Sequence, residues 1–158
     1  MKKSSIIFLL CIINTMCFGQ LQIQSKEEYA GYKTVIEGFG GWVIRFVPSD
    51  NENYGYYLMG STDNQFETSL ASVFLGHNKE SAVTTINDLV NIQKIIEDNG
   101  GEVIVKGFSN KATTIFLSTF NQPYIITEGV AGSSACVSWV LQDKARRKMI
   151  KAIVDFVE

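Results

Sequence analysis

The sequence predicts an α+β fold in which an antiparallel sheet of about six to eight strands carries two amphipathic helices on one face. Short β-rich runs separated by glycine, asparagine and serine fill residues 32–76 and again 100–141. The apolar spacing changes to a helical period over 78–99 and over 143–156. Each half thus reads as a β-meander followed by a helix, and two pseudo-repeated units of this kind are a further hypothesis.

Residues 1–19 have the layout of a secretory signal peptide. Lys2 and Lys3 precede an apolar run over residues 6–13, and the small residue Gly19 closes the segment. This order is typical of a cleavable export signal, and the run is shorter than the roughly 20 apolar residues of a membrane-spanning helix. We therefore expect cleavage after Gly19, a periplasmic or extracellular location, and no membrane span after cleavage.

The remaining residues, 20–158, are predicted to form a single α+β domain, because this length suffices for one hydrophobic core. Asn14 and Met16 stand where lipoprotein signals carry an aliphatic and a small residue, which disfavours a lipid anchor at Cys17. Loss of the two signal lysines leaves 12 basic and 16 acidic residues and changes the net charge from −2 to −4. This balance gives no reason to expect nucleic acid as a partner.

The first half is predicted to be a meander of four strands. Residues 32–47 read as a hairpin around the glycine-rich turn 38–41, and strands over 54–60 and 66–76 follow. Alternation along the hairpin's second strand assigns two sets of side chains to opposite faces, namely Trp42, Ile44 and Phe46, and Val43, Arg45 and Val47.

The helix after this meander is predicted to begin at Asn78, the N-cap, and to stop at Asn99, Gly100 and Gly101. One side of the helix is apolar and the other polar, as expected for a helix on a sheet. The apolar stripe consists of Ala82, Val83, Ile86, Leu89, Val90 and Ile96.

The second half is predicted to contain four further strands, over 100–108, 112–120, 124–130 and 134–141. Asp143 is the expected cap of a closing helix. The inward residues of that helix are expected to be Ala145, Met149, Ala152, Ile153 and Phe156.

His77 and Cys136 are the weak catalytic candidates. They would act as base and nucleophile of a cysteine hydrolase, with Asn78, Asp88 or Asp143 orienting the imidazole. His77, however, lies on a strand-to-helix turn where polar residues are ordinary. Cys136 alternates with apolar residues in a predicted strand, a pattern typical of a small packed side chain. The sequence therefore favours a protein that is not an enzyme.

The aromatic residues of the first meander suggest a binding surface. Tyrosine and tryptophan beside an arginine give a large contact area for sugar rings or for a partner protein. Packing of the same rings in the core is the competing interpretation. The candidate binding residues are Trp42, Arg45, Tyr54, Tyr56 and Tyr57.

No metal site or cofactor is predicted, because one histidine and one cysteine after residue 19 form no usual ligand set. Three hypotheses remain. The first is an exported, non-enzymatic interaction protein, for example an inhibitor or immunity-type protein that acts on a protein partner. The second is a glycan-binding module that uses the aromatic sheet face. The third is the cysteine hydrolase with Cys136 and His77.

Overall fold

The strands form two antiparallel sheets in the computed structural model, which describes residues 31–62 and 70–158. The predicted signal peptide, its Cys17, the predicted domain start at residue 20 and the predicted strand residues 66–69 lie outside the described residues. Sheet 1 comprises β1 (Lys33–Gly38), β2 (Trp42–Val47), β3 (Gly55–Ser61) and β4 (Leu70–Gly76), and sheet 2 comprises β5 (Glu102–Lys106), β6 (Ala112–Leu117) and β7 (Pro123–Thr127).

The prediction of an α+β fold is confirmed, whereas the prediction of a single sheet of six to eight strands is wrong. The two sheets meet through side chains where a further strand would otherwise pair with β4. The backbone N–H of Ser72 donates to Thr127 Oγ1 (3.0 Å), and the hydroxyl of Thr113 donates to the Ser72 carbonyl (2.8 Å). The two threonine hydroxyls bond to backbone groups of Ser72 that another strand would otherwise pair with. The hydrogen-bonded ladder of sheet 1 therefore ends at β4.

The two faces of sheet 1 are both packed. Trp42, Ile44 and Phe46 of β2 lie in the main core, and Val43 and Val47 lie in a second apolar cluster on the opposite face, as the alternation predicts. The neighbouring residues Tyr56 and Tyr57 of β3 are likewise divided between these two clusters. Because consecutive strand residues point to opposite faces, one sequence run fills two cores.

The predicted first helix is present, and both of its ends are confirmed. Asn78 is the N-cap, since its side chain accepts from the Ser81 N–H (2.8 Å) while the Ser81 hydroxyl lies 3.2 Å from the Asn78 N–H. At the other end the Gly101 N–H donates to the Ile96 carbonyl (2.9 Å), and Gly100 has φ +83°. The helical region comprises α1 (Lys79–Asp88), a 3-10 turn (Leu89–Asn91) and α2 (Ile92–Asp98).

The closing helix α3 (Asp143–Asp155) begins one residue earlier than its predicted cap implies. Gln142 is the N-cap and makes no side-chain capping bond, so the assignment of Asp143 as cap is wrong. Asp143 instead pairs with Arg146 within the first turn. Met149 and Ile153 are buried as predicted, while Ala145, Ala152 and Phe156 are half-buried.

The predicted strand over residues 134–141 is wrong, because this segment turns back on itself. Ser134 alone pairs with a strand, as an isolated bridge to Ile125. The Ser134 hydroxyl then accepts from the Cys136 N–H (3.2 Å), and the Ser138 hydroxyl donates to the Ala135 carbonyl (2.7 Å). Such local bonds from serine compete with strand pairing. Residues Cys136–Trp139 consequently form a 3-10 turn.

The main core lies between one face of sheet 1, the helices and the inward face of sheet 2. Its members include Leu58, Ile86, Ile115, Ile125 and Met149, each fully buried. The helices therefore pack on one face of sheet 1, as expected. The hypothesis of a duplicated unit stays a hypothesis, with four strands before α1 and three before α3. Within the described ranges, no helix is both long and apolar enough to cross a membrane.

Candidate functional site

The predicted aromatic binding residues do not form an exposed surface. Trp42, Tyr56 and Tyr57 are buried, and Arg45 and Tyr54 are half-buried. The Tyr56 hydroxyl donates to Glu158 Oε1 (2.8 Å), and burial together with that carboxylate raises its pKa. The Tyr57 hydroxyl donates to the Asn53 carbonyl (2.8 Å), and burial raises its pKa to about 12. These rings pack the two clusters of sheet 1, which is the competing interpretation of the aromatic run.

His77 and Tyr54 form the aromatic pair that stays partly accessible. Their rings stack with centroids 5.3 Å apart and planes inclined by 22°, and Phe74 meets the imidazole edge-on at 4.8 Å. His77 Nδ1 lies 2.9 Å from the Tyr54 carbonyl oxygen. Because a carbonyl oxygen only accepts, Nδ1 is the donor of this hydrogen bond. The pair fixes the turn that leads from β4 into α1.

Cys136 is buried against β3. A Cβ at Gly60 would lie 2.5 Å from Cys136 Cβ, so the backbone of β3 approaches the cysteine as closely as glycine permits. Burial raises the pKa of the thiol to about 12. A thiol with such a pKa is protonated at neutral pH, whereas the thiolate is the nucleophile.

The structure does not bring Cys136 and His77 together. His77 contacts Tyr54, just before the start of β3, whereas Cys136 packs on Gly60 near its end. Six residues of extended chain correspond to about 20 Å. A base and a nucleophile must approach within hydrogen-bonding distance to act as a pair. Two of the three orienting residues proposed for His77 have other roles, since Asn78 caps α1 and Asp143 pairs with Arg146. The third, Asp88, is the last residue of α1, at the end of the helix away from His77.

The outward face of sheet 2 is the surface that the sequence analysis missed. Ile104 is 68% exposed and Ile126 is 45% exposed, and Thr114 lies between them in the register. Phe116 and Tyr124 are half-buried next to this row, with ring centroids 6.4 Å apart. We call this surface the open face, which consists of Glu102, Ile104, Lys106, Ala112, Thr114, Phe116, Tyr124 and Ile126.

The inward face of the same three strands is packed. Ile115 and Ile125 are fully buried in the main core, and Thr113 and Thr127 hold sheet 2 to β4. Adjoining exposed apolar side chains are one feature of protein-contact surfaces. Its sequence signal is the consecutive pairs Ile104-Val105 and Ile125-Ile126, which make both faces of a strand apolar.

Two of the outer strands, β1 and β5, are poorly suited to pairing with another chain. The outer strand β1 carries the charged residues Lys33 and Glu37 and has an irregular register between Thr34 and Ile36. Strand β5 carries a charge at each end, Glu102 and Lys106. Charges and irregularities of this kind protect edges from added strands. The open face therefore differs from the edges in offering apolar contact area.

A basic stripe lies on the solvent side of α3. Lys144, Arg147, Lys148 and Lys151 are exposed at a spacing of three or four residues, and Lys151 pairs with Asp155 one turn later. Exposed ion pairs contribute little to stability. These charges form a solvated helix face.

Among residues 31–62 and 70–158, no three His, Cys, Asp or Glu side chains lie close enough together to hold a metal ion. Comparison with protein-family models, with curated proteins and with solved structures found no match for this chain.

Proposed function

We propose that this protein is an exported, non-enzymatic binding protein that contacts a partner protein through the open face of sheet 2. The observation that carries the proposal is the exposure of Ile104 and Ile126 on strands whose other face is packed. The layout of residues 1–19 supports export.

The chemistry of the open face favours a protein surface as its ligand. Its centre is a row of Ile104, Thr114 and Ile126, and charged residues stand at the ends of β5. An apolar centre with a charged rim is the usual organisation of protein interfaces. Burial of the exposed parts of the two isoleucines would contribute about 2–3 kcal/mol to binding. A partner can thus gain affinity without any change in the fold.

The two alternative functions have less support. A glycan-binding module with the predicted ring set would need Trp42, Tyr56 or Tyr57 at the surface, and all three side chains are buried. A cysteine hydrolase would need Cys136 near His77, but these residues lie at opposite ends of β3. An inhibitor or immunity-type activity, in contrast, requires only a preformed surface that covers part of another protein.

Capture of the partner tests the proposal. The full chain, tagged after Glu158 and produced in a host that can process its N-terminus, is incubated with the envelope and secreted fractions of its own source. Three forms are compared, the wild type, Ile104→Lys and the control Val154→Lys, which changes a 56% exposed valine on α3. Retained proteins are identified by mass spectrometry, and binding is then measured with the purified partner.

The expected result is one stoichiometric protein that wild type and Val154→Lys retain and that Ile104→Lys loses. A charge on Ile104 must be desolvated in any contact that covers the open face, which costs several kcal/mol. Equal retention by all three forms, or no stoichiometric protein at all, would contradict the proposal. Thermal unfolding of Ile104→Lys within a few degrees of wild type establishes that the loss is a surface effect.

A further inference from the structure

We infer that a second copy of this chain covers the open face, with the two sheets stacked face to face. The two-fold axis that relates the copies lies between the sheets, parallel to their planes and perpendicular to the strands. This inference rests on the proposed function, because it takes the open face as the contact surface. The supporting observation is that the residues of the open face complement themselves in size and in charge under this rotation.

The register of sheet 2 arranges the outward side chains in three rows across the strands. The backbone N–H of Glu128, just after β7, donates to the Ala112 carbonyl (2.9 Å) and extends the last row. The first row is Glu102, Phe116 and Tyr124, the middle row is Ile104, Thr114 and Ile126, and the last row is Lys106, Ala112 and Glu128.

A two-fold rotation about an axis perpendicular to the strands keeps each strand over its own copy and reverses its direction. The middle row then lies over itself, so Ile104 meets Ile104 of the second copy and Ile126 meets Ile126. The first row lies over the last, which places Phe116 opposite Ala112. A large ring opposite a small side chain fills the space between stacked sheets, which lie about 10 Å apart.

The same rotation pairs opposite charges at the rim. Glu102 of one copy faces Lys106 of the other, and the Tyr124 hydroxyl faces the carboxylate of Glu128. The Lys106 ammonium lies 4.7 Å from the centroid of the Phe74 ring of β4. Complementary rim charges fix the orientation of an interface more than they increase its affinity.

The other two-fold arrangement, with its axis along the strands, complements less well. It would stack Phe116 on Phe116 at one end of the sheet and Ala112 on Ala112 at the other. Two large rings would hold the sheets apart where two methyl groups would leave a void, and unfilled space forfeits contact energy. The size pattern therefore selects the perpendicular axis.

The size of the face predicts a weak dimer. Three strands of about five residues present roughly 15 by 17 Å, or about 500 Å² for the two copies together, which is below the lower limit of about 1,000 Å² for specific interfaces. We expect a dissociation constant in the micromolar range or weaker. Dimers would then form where the exported protein is concentrated and dissociate on dilution.

Sedimentation equilibrium of the purified full chain, produced in a host that can process its N-terminus, tests the inference over about 1 to 500 μM. Glu102→Lys and Lys106→Glu should each weaken dimerisation about three- to tenfold, because each replaces two attractions by two repulsions. An equimolar mixture of the two variants should recover wild-type affinity, since opposite charges then face each other at both ends. Lys148→Glu, a charge reversal on the exposed side of α3, serves as the matched control and should leave the dissociation constant unchanged.

Failure of this inference is distinguishable from failure of the proposed function. A protein that is monomeric up to 500 μM, or a mixture no tighter than the single variants, overturns the two-fold arrangement. Loss of partner capture by Ile104→Lys would then still support binding through the open face. Conversely, the protein could dimerise, recover wild-type affinity in the mixture of variants and capture no other protein. That result would support the second copy as the occupant of the open face and would overturn the proposal of a separate target protein.

Discussion

Sheet 1 and sheet 2 are both antiparallel, yet their second faces differ. In sheet 1 the face opposite the main core is itself packed, with Val47, Tyr57 and Met59 buried. In sheet 2 the corresponding face exposes Ile104 and Ile126. Sheet 1 therefore contributes to stability from both faces, whereas sheet 2 contributes from one face and leaves the apolar side chains of the other exposed.

Truncation of an apolar side chain should show the largest difference between the packed second face of sheet 1 and the open face of sheet 2. Met59→Ala removes a buried side chain and should lower the free energy of unfolding by about 2–5 kcal/mol. Ile104→Ala should lower it by less than about 1 kcal/mol, because most of that side chain is already in water. Urea denaturation measures both values, and similar losses would remove the distinction between the faces.

Threonine substitutions on the two faces of sheet 2 sharpen the comparison. Thr127→Val leaves the buried Ser72 N–H without its acceptor and should cost about 1–3 kcal/mol. Thr114→Val makes the same chemical change on the open face and should alter stability by no more than about 0.5 kcal/mol. Thermal or urea unfolding of the two proteins gives the difference, and equal costs would show that the junction between the sheets does not depend on this bond.

Alkaline pH should lower the free energy of unfolding through the buried thiol of Cys136. Its thiol has a pKa of about 12 in the fold against an ordinary value of 9.0, so the protonated form is favoured by folding. That stability is complete below pH 9 and is lost as the pH rises, because the unfolded chain releases the proton first. The loss attributable to this thiol is about 1 kcal/mol between pH 9 and pH 10.

Cys136→Ala provides the control for this pH dependence. The variant lacks the thiol and should show a shallower decline of unfolding free energy over pH 9–10, with the remaining slope due in part to Tyr57. An identical slope in both proteins would mean that Cys136 titrates normally. A thiol reagent should likewise label Cys136 only when the protein is unfolded.

The elements with local signals could be predicted from the sequence. Asn78 and the glycines after Asn99 define the helical region because capping depends on neighbouring residues. The alternation of Trp42, Ile44 and Phe46 gives the core face of β2 for the same reason. Trp42, Tyr56 and Tyr57 were correctly placed on strands, whereas Tyr54 lies just before β3. Alternation alone does not distinguish a second packed face from an exposed one.

The features that were missed depend on contacts between distant residues. Sheet 1 ends at β4 because Thr113 and Thr127 bond to Ser72, more than 40 positions away from each of them. The turn at Cys136 follows from the hydroxyls of Ser134 and Ser138, which the alternating apolar pattern concealed. The open face was concealed in turn by continuous apolar runs, which are equally typical of a fully buried strand.

Carbene footprinting tests most directly that the open face is the contact surface. The purified protein is labelled alone and with the exported fraction of its own source, and modification is quantified at Ile104, Ile126 and Val154. We expect labelling of both isoleucines to fall in the presence of the partner and labelling of Val154 to stay unchanged. Unchanged labelling of Ile104 and Ile126, with protection elsewhere on the surface, would contradict it.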